Sequence, residues 1–190
     1  MLPLKERQYQ LRETAIVEAM YDLLARQGYA ATSMDDVAAQ LGISKATLYQ
    51  HFKSKAELAL RVIVQQIEAA AADIRSLDPT LPAIERVRRS LQAGIRRRAT
   101  LGAAQVQLPT ELYADPAFKA AERQVAQAGS ALIQEAQRAG DIRADLPPML
   151  INEFISNIFN LDFERLARGG ANLDALSQQV IDLVMRAIRP

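Results

Sequence analysis

Apolar residues recur at spacings of three and four along almost the whole chain. Ile16, Ala19, Met20, Leu23 and Leu24 form one stripe, and Leu176, Val180, Leu183 and Ala187 form another, the repeat of a helix that buries one face. No segment alternates apolar and polar residues at the period of two that a half-buried strand requires. Pro79, Pro82, Pro109, Pro116, Pro147 and Pro148 partition the rest, because proline fits only helix starts and connections, and no proline stands between Pro3 and Pro79. The pattern predicts an all-α fold of about nine helices, over about 7–27, 33–41, 45–51, 54–77, 83–99, 101–107, 116–139, 147–168 and 173–188.

Local signals set the breaks. Gly28 is a natural left-handed stop for the first helix. Ser33 with Asp36, and Ser54 with Glu57, have the spacing of capping boxes, and Ser44 can cap a further helix. Gly42 interrupts the helix opened at Ser33, Asp78-Pro79 stops the one opened at Ser54, and Gly140-Asp141 and Gly169-Gly170 are later breaks.

Residues 33 to 51, SMDDVAAQLGISKATLYQH, therefore read as a short helix, a tight turn at Leu41-Gly42-Ile43-Ser44 and a second short helix. That is the spacing of a helix-turn-helix, although pairs of core helices show it too. Val37, Ala38, Leu41, Ile43, Leu48 and Phe52 supply apolar residues to lock the pair over the first helix. Lys45, Thr47 and Gln50 are left on the outward face, where a second helix is free to enter a groove.

Charge supports the same segment. The chain carries 23 Lys plus Arg against 22 Asp plus Glu, a net +1, so it is no polybasic protein that coats nucleic acid, and any such contact is a local patch. Residues 44 to 55 hold Lys45, Lys53 and Lys55 and no acidic residue. Phosphate contacts need cations, hydroxyls and free helix N-terminal N–H groups. Thr32, Ser33, Ser44, Thr47, Tyr49, His51 and Lys55 offer these near three helix starts.

The run Gly28-Tyr29-Ala30-Ala31-Thr32-Ser33-Met34-Asp35-Asp36-Val37-Ala38, followed by Gly42-Ile43-Ser44-Lys45-Ala46-Thr47-Leu48-Tyr49-Gln50-His51-Phe52-Lys53-Ser54-Lys55-Ala56-Glu57-Leu58, resembles the signature of the TetR-type transcriptional regulators. The resemblance covers about residues 7–67 and includes the motif at about 33–52; the remainder is similar only in its helical architecture. It implies a DNA-binding domain at 7–67 and an effector-binding and dimerisation domain at 68–190. It implies a homodimer that binds a palindromic operator on double-stranded DNA, usually as a repressor, and is released by a small-molecule effector. By position, Lys45 looks like a base-reading residue, Ala46 and Thr47 like groove contacts, and Tyr49, His51 and Lys55 like contacts to phosphate.

The C-terminal part is read from its residues alone. The segment 147–168 is apolar almost all round, so one buried face does not account for it. With the last helix it reads as a four-helix dimer interface, through Leu150, Ile151, Ile155, Ile158, Leu176, Val180, Leu183, Val184 and Ile188. Candidate lining for an effector pocket is Leu101, Val106, Tyr113, Phe118, Asn152, Phe154, Ser156, Asn157 and Phe159, apolar surface with a few polar groups. The alternative makes those aromatics core and those asparagines solvated. Arg86, Arg88, Arg89, Arg96, Arg97 and Arg98 read as a solvated helix face beside the stripe of Ile84, Val87, Leu91 and Ile95, the alternative being an anionic ligand or a second DNA contact.

Other classes find little support. With no Cys and a single His, disulfides, thiol redox chemistry and Cys- or His-rich metal sites are excluded. There is no GxSxG, phosphate-binding glycine loop or HExxH, so no catalytic residue, metal or cofactor is expected. The alternatives kept open are an effector-independent DNA-binding regulator, an all-helical lipid-binding protein and an enzyme. No window of 18 residues is free of charge, which argues against a membrane span. The first residues lack the apolar core of a signal peptide, and the expectation is a cytoplasmic protein.

Overall fold

A computed structural model describes residues 3–100, 109–159, 161, 166 and 172–190. Among these stand eight α-helices and no strand: α1 Leu4–Ala31, α2 Met34–Leu41, α3 Lys45–His51, α4 Lys55–Ser76, α5 Ala83–Thr100, α6 Pro116–Arg138, α7 Pro148–Ile158 and α8 Leu173–Ala187. A 3-10 helix at Thr110–Ala114 precedes α6; it is too short to leave a periodic signal. The expected helix over 101–107 lies outside the described residues. So does most of the expected helix 147–168 beyond Phe159, and its described part ends at Ile158. No helix among the described residues is long and apolar enough to cross a membrane.

The chain divides into two compact units, Met1–Gln66 with Ala104–Lys119, and Ile67–Ala103 with Ala120–Pro190. The first is held by Ile16, Met20 and Leu24 of α1, Val37 of α2, Leu48 of α3, and Leu58 and Val62 of α4, all fully buried. Gly28 takes φ 75 and ψ 173, a combination essentially confined to glycine. The break expected there is present, but the chain makes one more turn to Ala31 instead of leaving the helix.

The second unit packs Val87, Leu91 and Ile95 of α5 against Leu132, Ile133 and Ala136 of α6, Ile151 and Ile155 of α7, and Ile181, Val184, Met185 and Ile188 of α8. This places most of the residues nominated for the dimer interface in the core of the protomer itself. Ile151, Ile155, Val184 and Ile188 form the inward stripes of their helices and are buried within the unit itself. Ile158 and Val180 are half-buried against the same core, and Leu176 is half-buried as well. Only Leu150, 53% exposed, and Leu183, 70% exposed, stand free, and Met149 and Phe154 of α7 are exposed with them. An all-round apolar pattern shows that a helix has two apolar faces without saying which one the protomer uses.

The arginines of α5 are also less solvated than their pattern implies. Arg86 is 8% exposed, ion-paired with Glu135 of α6, and its Nε donates to the Leu81 carbonyl at 3.3 Å. Arg88 reaches Asp182 of α8 at 3.0 Å. Two pairs thus tie α5 to its neighbours across the edges of the apolar core.

Candidate functional site

The geometry of α2 and α3 is fixed by local hydrogen bonds. At the start of α2 the Ser33 hydroxyl accepts from the Asp36 N–H (3.1 Å), and the Asp36 carboxylate accepts from the Ser33 N–H (2.8 Å). The Ser33 hydroxyl and then its N–H hold the Asp36 carboxyl below the usual carboxylate range. At its end Gly42 is left-handed, φ 64 and ψ 30. Gly42 N–H donates to Ala39 O (3.2 Å) and Ile43 N–H to Ala38 O (3.1 Å), the double closure of a Schellman turn. One residue on, the Ser44 hydroxyl accepts from the Thr47 N–H (3.0 Å) and opens α3. The two helices are therefore aimed by a turn of three residues closed by these hydrogen bonds.

Burial then orients α3. Leu48 is fully buried and Phe52, just past the helix, is buried too, so this side is pinned to the core of the first unit. Lys45, Ala46, Tyr49 and Gln50 are exposed on the opposite side, and Thr47 is half-buried beside them. Lys45 bonds to Asp35 of α2 at 2.7 Å. That carboxylate raises the Lys45 pKa, first by its hydrogen bond and then by its charge. The exposed face of α3 presents a cation, a methyl, a phenol and a carboxamide, the set that reads groove edges and phosphates of duplex DNA.

Three of the expected contact residues have partners within the fold. Thr32 is buried, and its hydroxyl donates to Gly28 O at 2.7 Å, so it supports the kink after Gly28. Lys55 donates from Nζ to Tyr29 O and Thr32 O, both at 2.9 Å, and sits 4.1 Å from the centre of the Tyr29 ring. Its ammonium closes the last carbonyls of α1 and clamps them to the first residue of α4, a favourable placement at a helix C-terminus. Ser33 is exposed, but its hydroxyl also donates to Asp36 at 2.7 Å, leaving it a capping residue. Ser44 remains exposed at the start of α3, where its hydroxyl also lies 2.8 Å from that of Thr47.

His51 is placed by a residue that sequence reasoning missed. Tyr9, on the first turns of α1, stacks on its ring with centroids 4.2 Å apart, and His51 Nδ1 is buried without a partner. Burial lowers the His51 pKa; Glu13 opposes this and Arg12 adds to it. An imidazole that loses charge on folding binds fewer protons than in the unfolded chain, so stability falls as pH drops through the unfolded value of about 6.5. Being the chain's one histidine, it is the side chain whose ordinary pKa lies between pH 5 and 7. The urea midpoint is expected to fall between pH 7 and 5, and to fall less in His51→Gln; an equal fall in both would refute this origin.

A second candidate site is a cavity of about 560 Å³ in the second unit, lined by α4 to α7. Of the residues nominated from sequence, Asn152, Ser156, Asn157 and Phe159 stand in its wall. Phe154 is exposed and lies outside it. Tyr113 and Phe118 belong to the first unit, where they meet edge to face at 5.2 Å. Leu101 and Val106 lie outside the described residues. The wall also includes Asp73 and Arg97, which are ion-paired, and Leu132 and Ile133 of the core.

Residues 16–62 match the bacterial regulatory proteins of the TetR family. The transcriptional activator FasR of Mycolicibacterium smegmatis is 36% identical over 93 residues, 48% of this chain and 40% of that relative. This chain therefore aligns with less than half the length of that relative. Two solved structures share the fold over nearly the whole chain. A transcriptional regulator from Saccharomonospora viridis in complex with choline has a TM-score of 0.75 at 22% identity, covering 94% of this chain and 98% of that one. The fatty acid degradation regulator FadR of Bacillus halodurans has a TM-score of 0.75 at 18% identity, covering 92% and 94%.

Proposed function

The chain belongs to the TetR family of bacterial regulatory proteins through residues 16–62, and from that premise we propose that it is a sequence-specific repressor. In this reading it binds a palindromic operator on double-stranded DNA as a homodimer and leaves it when a small molecule fills the cavity of the second unit. The observation that carries the DNA reading is the exposed face of α3, with Lys45, Ala46, Tyr49 and Gln50 outward over the buried Leu48. One seven-residue helix reads few base pairs, whereas two copies about 34–36 Å apart read both halves of a palindrome.

Lys45 is the residue we assign to base or phosphate contact, with Thr47 and Ala46 beside it, Tyr49 and Ser44 on phosphate, and His51 buttressing the end of α3. Its bond to Asp35 is an exposed ion pair, which contributes little to stability and exchanges readily for a phosphate or a guanine edge. The effector acts by binding more tightly to the shape that does not fit DNA. Helix α4 is the lever: it begins at the Lys55 clamp and contributes Ala70, Asp73 and Ile74 to the cavity wall, all within one helix.

The test is fluorescence anisotropy of the full chain with labelled fragments of the DNA flanking its own gene, at two salt concentrations. We expect tight, salt-sensitive binding to one palindromic fragment, weakened about tenfold by Lys45→Ala with a salt slope shallower by about one. Tyr49→Phe is expected to weaken it as well. Salt-insensitive binding, or binding that ignores both substitutions, would refute this assignment of the face.

A further inference from the structure

The cavity of the second unit contains a polar group that the fold leaves unused. Asn152 is 7% exposed and lines the cavity, and among the described residues its carboxamide makes no hydrogen bond. The carboxamide is therefore a free donor and acceptor facing the cavity, available to a ligand. Its position is built in by the opposite helix. A Cβ at position 129 of α6 would lie 2.1 Å from Asn152 Oδ1, so a side chain there displaces the carboxamide from this position. Gly94 of α5 does the same for Phe159, whose ring would stand 2.5 Å from an added Cβ. Glycine inside a helix is destabilising relative to alanine, and here two of them yield space to one polar and one aromatic side chain of the same wall.

The charged groups of the lining balance. Three arginines, Arg89, Arg97 and Arg123, and three carboxylates, Asp73, Glu122 and Glu153, line the cavity and cancel. Arg97 is paired with Asp73 and Arg89 with Glu85, and Arg123, Glu122 and Glu153 are exposed. The buried lining beside Asn152 is apolar, through Leu132, Ile133 and Ile155. An ion seated there loses its hydration and has to compete with the Arg97–Asp73 pair for a counter-charge.

We propose that Asn152, seated over Gly129, determines specificity for an uncharged amphiphile whose polar group both donates and accepts a hydrogen bond, a carboxamide or lactam in the simplest case. The inference rests on the reading of this cavity as the effector site and names the chemistry that site takes. An Asn carboxamide offers N–H donors and a carbonyl acceptor, so a ligand amide closes two complementary bonds with it while its apolar part covers the aliphatic wall. A carboxylate can only accept, and a quaternary ammonium does neither.

The experiment is isothermal titration of the full chain with three ligands that share one tail, dodecanamide, dodecanoate and dodecyltrimethylammonium, each below its micellar concentration. It is repeated on Asn152→Leu and Gly129→Ala. Wild-type protein is expected to bind dodecanamide about tenfold more tightly than either ion, and Asn152→Leu to erase that preference. Gly129→Ala adds a methyl that displaces the carboxamide while favouring the helix, so it is expected to weaken dodecanamide about tenfold with no loss of thermal stability. An ion bound as tightly as the amide, or amide binding untouched by both substitutions, overturns the proposal. Binding of the neutral dye Nile red separates the two readings. If the dye binds without any amide preference, Asn152 is not the determinant although the cavity takes ligands; if neither dye nor amide binds, the effector reading fails with it.

Discussion

Truncation of Leu48 to alanine is expected to destabilise the first unit by about 2–5 kcal/mol and to abolish operator binding. Tyr49→Ala, one residue on, is expected to leave stability within about 0.5 kcal/mol and still remove most of the binding. Leu48 is fully buried among α1, α2 and α4 side chains, and it is the one buried residue of a helix of seven. It is the one side chain of α3 packed into the core, so losing these contacts leaves a cavity and loosens the recognition face together. Tyr49 is exposed and has no such role; in the proposed reading only a DNA partner uses it. Hydrogen exchange across residues 16–62 in urea, with anisotropy on the operator fragment, measures both quantities. A Leu48→Ala protein as protected as wild type, or a Tyr49→Ala protein with unchanged affinity, would show that α3 is oriented differently.

The contrast between those neighbours also marks what the sequence could tell. The Ser33–Asp36 box, the Gly42 turn and the Ser44 cap were legible because each is closed within five residues. The period of the buried positions then put Leu48 inward and Lys45 outward. What escaped depends on partners far apart in the chain. Nothing near Lys55 in the sequence announces that it meets the carbonyls of Tyr29 and Thr32, and nothing near His51 announces that Tyr9 stacks on it. Ser54 shows a milder version: its hydroxyl accepts from Glu57 N–H as expected (3.1 Å), but Glu57 answers to the Lys53 N–H (2.8 Å) instead of Ser54's own. The wall of the cavity was half legible for the same reason. Asn152, Ser156 and Phe159 follow one helical spacing along and just past α7, but Gly129 and Gly94, which make room for Asn152 and Phe159, carry no side chain to draw attention in a sequence.

Leu183→Glu combined with Leu150→Glu is expected to convert the protein to a folded monomer and to lower operator affinity about a hundredfold or more. Both side chains are more than half exposed, on helices whose other faces are already spent on the core of their own unit. Charging them therefore costs the protomer little, whereas a second copy docked on the same face would bury two carboxylates against apolar side chains. Once the copies separate, each recognition helix binds alone, and the gain from tethering two half-site contacts, about 10²–10⁴ in affinity, is lost. Ile188→Glu provides the contrast. Ile188 is buried against Ile181, Val184 and Met185 in the core, so the same charge there is expected to unfold the second unit, not to split a dimer. Sedimentation velocity separates monomer, dimer and unfolded chain in one experiment, and anisotropy on the operator fragment supplies the affinity. A doubly substituted protein that stays dimeric would move the interface off Leu150 and Leu183. A folded monomer with wild-type affinity would mean that one α3 suffices and that operator symmetry plays no part in recognition.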